Sequence, residues 1–74
     1  MGNKEQEKEK YYRKCTEGLN EEQLELFDTI NKNHSCSYGV CELIVKQAHP
    51  ADIRQAMRNQ PDDVWGYLKA LYNP

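Results

Sequence analysis

Two prolines eleven residues apart, Pro50 and Pro61, limit what the second half of this chain can become. Proline suits the first turn of a helix, where its missing N–H had no partner to lose. It also drives the residue before it away from helical angles, so a preceding helix must stop. His49-Pro50-Ala51-Asp52-Ile53 and Gln60-Pro61-Asp62-Asp63-Val64 therefore each end one helix and begin another. In both copies an acid lies two residues past the proline, in the first turn, where the helix dipole favours negative charge. The pattern predicts helices over 50–59 and 61–72. Two such repeats are too few for a solenoid, so these short helices must pack against the rest of the chain.

The first half supplies three more segments. Asn20 with Gln23 three residues on forms a capping box, and Leu19 and Leu24 fit a hydrophobic staple across it. A helix over 21–33 follows, with Leu24, Leu26, Phe27 and Ile30 on one face. Glu21, Glu22, Glu25 and Asp28 form the other, which reads as a solvated acidic face. Before it, 1–8 is a charge run expected to be disordered or frayed. The stretch 9–17 carries Tyr11, Tyr12 and Cys15 and reads as a helix supported by the i,i+4 pair Glu9–Arg13 and stopped at Gly18. After a polar loop over 34–39, Val40 to Ala48 is apolar on nearly every side. Periodicity does not separate strand from helix there; helix is chosen because a lone strand would find nothing to pair with. The expected fold class is all-α, a compact bundle of four to five short helices. A single domain spans 9–74 behind the frayed, charged N-terminus.

How much such a bundle can hold is bounded by its composition. Of 74 residues 38% are hydrophobic, and the mean hydropathy is −1.00. A core of this size supplies about 3–5 kcal/mol net, which leaves little material for an enclosed, water-excluding pocket. Ten basic residues face twelve acidic ones. From Leu19 onward the balance is five to eight, against the basic footprint of a strong nucleic-acid binder. No apolar run approaches bilayer length, and the hydrophilic start does not read as a signal peptide. Three cysteines then read as reduced thiols, and the expected compartment is the cytoplasm. Gly2 would suggest myristoylation, but Gln6 stands where Ser or Thr is expected.

The residues with reactive chemistry are few. His34, Cys36, Cys41 and His49 could be assembled as zinc ligands, yet they contain no Cys-x2-Cys or His-x3-His pair. Cys41 falls on an apolar helical face, where free cysteine behaves as a small hydrophobe. Unrelated thiols are therefore preferred over a metal site or a Cys36–Cys41 disulfide, and no cofactor is expected. Catalysis would need a Cys–His pair that nothing in the spacing brings together. The neighbouring acids Asp62 and Asp63 are explained by their helix-start position. The chain is not expected to be an enzyme.

The aromatic residues are more informative. Five of seven are Tyr and one is Trp, the types that suit half-wet surfaces and interface centres. In the last helix Val64, Trp65, Tyr67, Leu68, Leu71 and Tyr72 cover an arc of roughly 160°, wider than one core-facing stripe needs. Gly66 and Ala70 share the remaining side. Glycine inside a helix costs about 1 kcal/mol relative to alanine, which a neighbour passing close over Gly66 would explain. The expected function is a non-enzymatic protein-binding module, a small regulator or inhibitor of the type phages and mobile elements encode. It would cover a partner's surface with Trp65, Tyr72, Tyr38 and Tyr67 as anchors and Arg54 and Arg58 at the rim. A homodimer through the same helix belongs to this reading. The alternative is a DNA-binding helix-turn-helix over Val40 to Asn59, with Arg54, Gln55, Arg58 and Asn59 reading base edges.

Overall fold

A computed structural model describes residues 3–73. It has five helices: α1 (Asn3–Thr16), α2 (Glu21–Asn33), α3 (Tyr38–Gln47), α4 (Pro50–Asn59) and α5 (Val64–Tyr72). The all-α bundle is as expected. No helix among the described residues is long and apolar enough to cross a membrane. Met1 and Gly2, and with them the lipidation question, lie outside the described residues.

The strongest local signals are realised as written. The Asn20 side chain accepts from the Gln23 N–H at 2.8 Å, while the Gln23 side chain accepts from the Asn20 N–H at 3.0 Å. Gln23 also donates to the Val45 carbonyl at 3.0 Å, so the capping residue ties α2 to α3. Gly18 adopts φ +81° and lets the chain turn out of α1. α4 spans the predicted residues, with Pro50 in its first turn.

Three helix starts differ from expectation, each for a local reason. α1 begins at Asn3, six residues before the expected Glu9. Once Tyr12 and Cys15 dock the last turns on the body, adding Glu, Lys and Gln residues is propagation with no new nucleus to form. α3 begins at Tyr38, because the Ser37 hydroxyl accepts from the Val40 N–H and caps it. α5 begins at Val64. Pro61 and Asp62 lie in a turn, and Asp63 is the cap. A helix starting at Pro61 would have left only Gln60 to reverse the chain after α4, and Asp is a far better cap than Gln.

One core unites the helices. Phe27 and Ile30 from α2, Cys41 and Ile44 from α3, Ile53 and Ala56 from α4 and Leu68 from α5 are fully buried, with Cys15 of α1 nearly so. Among the described residues no polar or charged side chain is buried. α2 packs on α3 and α4, α4 on α5, and α1 on α3.

Gly66 has a different explanation from the expected neighbour. The Asp63 carboxylate folds back to accept from the Gly66 N–H at 3.0 Å. A Cβ on residue 66 would collide with the Asp63 carboxylate. The helix's own cap occupies the space. Gly66→Ala should therefore gain about 1 kcal/mol of helix propensity and forfeit a cap worth about the same, leaving stability nearly unchanged. In an Asp63→Ala background the same substitution should stabilise by about 1 kcal/mol, read by urea denaturation. Equal gains in both backgrounds would show that the carboxylate is not what keeps position 66 a glycine.

Candidate functional site

The residues expected to act together are distributed over separate seams. Tyr38 stands in an aromatic cluster that seats α1. Its ring is stacked on Phe27 at 5.7 Å between centroids, tilted against Tyr11 at 5.8 Å and edge-on to Tyr12 at 5.4 Å. Tyr12 in turn donates to Asp28 at 2.8 Å. Burial first, then that carboxylate, push the Tyr12 phenol up to about 12. Asp28, read as part of a solvated acidic face, is thus a tertiary acceptor.

Trp65 and Tyr72 lie along the seam of α3 and α5. With Gln47, Ala48, Leu68 and Lys69 they line a dimple of about 50 Å³. Trp65 is partly covered by the core, and the Lys69 ammonium lies 5.7 Å from its ring centroid, within cation–π range. Tyr72 is a clasp as well as a surface ring: its hydroxyl donates to Asp52 and accepts from the His49 N–H, fastening the end of α5 to the start of α4. The bond to Asp52 raises its phenol above the ordinary value. Tyr67 is partly buried, and its hydroxyl accepts from Asn59 at 3.3 Å.

Arg54 and Arg58 face another seam, an open groove of about 440 Å³ between α2 and α4. Arg54 pairs with Glu22 at 2.8 Å across it, and both side chains are about half exposed. For the helix-turn-helix, α3, the two residues Ala48 and His49, and α4 have the required order, and Arg54, Gln55, Arg58 and Asn59 are all exposed. Two of these four readers are engaged within the chain, Arg54 by Glu22 and Asn59 by Tyr67.

The reactive residues are placed apart or turned to structure. His34 Nδ1 meets the Pro61 carbonyl oxygen at 2.8 Å. His49 Nδ1 accepts from the Ala51 N–H and caps α4. The Cys41 thiol points to the Cys36 carbonyl at 3.7 Å. All three cysteines are free thiols. Burial pushes each of them above the ordinary thiol value, Cys41 up to about 12, the opposite of what an activated nucleophile needs. No group of three or more His, Cys, Asp or Glu among the described residues is arranged to hold a metal ion. Asp63 caps α5, and Asp62 is exposed in the turn.

One contributor was overlooked in the sequence. Leu43 is 44% exposed, and Leu71 and Tyr72 are 46% exposed. Leu43 stands one turn before Gln47 on α3, on the side turned away from the buried Cys41, Ile44 and Val45. The signal was present: a segment apolar on nearly every side must leave some side uncovered in a bundle this thin. No family model matches the chain, and neither the curated proteins nor the solved structures compared with it include a match.

Proposed function

We propose that this protein is a non-enzymatic protein-binding module, a small regulator or inhibitor that covers a partner's surface with its α3–α5 seam. The observation that carries this reading is the exposure of large apolar side chains on two adjacent helices, Leu43 on α3 and Leu71 and Tyr72 on α5, with Trp65 beside Tyr72 only partly covered by the core. Exposed apolar groups mark an interaction surface when they join into one patch, and Trp and Tyr are the residues that dominate binding at the centre of such a patch. Lys69 beside Trp65 and Gln47 across the dimple supply a polar rim. Tyr38, Tyr67, Arg54 and Arg58 stand outside this surface.

Immobilised protein exposed to a lysate of its native host, with bound proteins quantified by peptide mass spectrometry, tests the reading. Trp65→Ala should reduce recovery of the specific partner at least tenfold. Because Trp65 also leans on the core, Leu43→Ser provides a second variant whose exposed side chain contributes little to folding. A captured set that stays the same in both variants, each still helical by circular dichroism, would rule this surface out.

A further inference from the structure

We propose a second docking surface, the groove between α2 and α4, whose occupant is a short protein segment carrying an apolar side chain next to an acidic one. The proposal does not depend on the α3–α5 reading. Leu26 and the partly buried Met57 form the floor of the groove. Methionine adapts its shape to an incoming apolar group more readily than a branched side chain does.

The two ends differ in charge. At one end Arg54 is already satisfied by Glu22, with Glu25 on the same wall of α2. At the other, Arg58 is exposed and, among the described residues, in no ion pair. His34 lines the groove there too, its Nδ1 donating to the Pro61 carbonyl at 2.8 Å, so the ring is held as part of the wall beside Arg58. From Glu25 to His34 the wall of α2 is about 13 Å long, room for about four residues of an extended segment. An apolar side chain fits over Leu26 and Met57, and a carboxylate beside it fits the Arg58–His34 end, where guanidinium and carboxylate form a bidentate pair. Duplex DNA is the less suitable occupant: its phosphates would meet Glu22 and Glu25 along the α2 wall, and the apolar floor would face nothing it can use.

The probes are two fluorescein-labelled hexapeptides, (Leu-Glu)3 and (Leu-Lys)3, and a 20-base-pair duplex, titrated into the 15N-labelled full chain. The Leu-Glu peptide should shift the amides of Met57, Arg58 and His34 and spare those of Leu43 and Trp65. Arg58→Glu should weaken it at least tenfold and should turn the preference toward the Leu-Lys peptide. Leu43→Ser should leave both results unchanged, which separates this groove from the α3–α5 surface. The proposal is overturned by either of two results: no shifts from the Leu-Glu peptide at millimolar concentration, or shifts of the same amides by the Leu-Lys peptide or the duplex at equal or lower concentration.

Discussion

Phe27→Ala is expected to abolish cooperative folding at 25 °C. The side chain is fully buried; its ring meets Tyr12 edge-on at 5.6 Å and lies stacked on Tyr38 at 5.7 Å. Through these two rings it joins α1, α2 and α3. Truncating a buried phenylalanine to alanine removes about 3–5 kcal/mol, the transfer term plus the cavity left behind. A core of this size supplies about the same amount in total. The thermal transition followed by circular dichroism should lose its sigmoidal shape, while Phe27→Leu keeps a sharp transition at lower temperature, since apolar swaps of similar volume cost less than about 1.5 kcal/mol. A Phe27→Ala protein that still melts sharply, within a few degrees of the parent, would mean that the stability lies elsewhere.

That concentration of stability in few residues explains what could be read in the sequence. α2 and α4 were legible to the residue, because their boundaries are set by side chains within four positions of them: the Asn20–Gln23 box and the Pro50 turn. α5 was misplaced at its start, because two candidate openings, Pro61 and Asp63, compete there. The winner depends on the reversal of the chain onto α4, which is a tertiary matter. The candidate site was less legible. Helical projection finds Trp65 and Tyr72 on one edge of α5, but it cannot show that Tyr38 is consumed in seating α1 or that Arg54 is held by Glu22 from thirty-two residues away. Such pairings depend on how helices cross, and no local spacing encodes that. The same applies to Gly66, whose apparent invitation to a neighbouring helix is filled by its own cap.

Alkaline pH should unfold this domain through a buried thiol that at neutral pH serves only as core packing. Cys41 is fully buried. Burial first, then the neighbouring Cys36, Asp28 and Cys15, push its thiol from the ordinary 9.0 up to about 12. The folded state thus keeps its proton where the unfolded chain releases it. By linkage, stability is fully present below the ordinary thiol value and is lost as pH rises from there through the folded value. Tyr12, raised to about 12 by burial and Asp28, acts in the same direction. At about 1.4 kcal/mol per pH unit, Cys41 alone withdraws stability on the order of the domain's whole reserve of about 3–5 kcal/mol. Cys41→Ala separates this thiol from the rest. At pH 7 the variant should be less stable by about 1 kcal/mol, from the small cavity. Near pH 10.5 the wild-type chain should have lost about 2 kcal/mol through this one group, and the order should reverse. Urea denaturation at half-unit steps from pH 7 to 11 would therefore show two stability curves that cross. Curves that stay parallel throughout would mean that the Cys41 thiol ionises in the folded chain as readily as in the unfolded one, and the sealed core inferred around it would have to be abandoned.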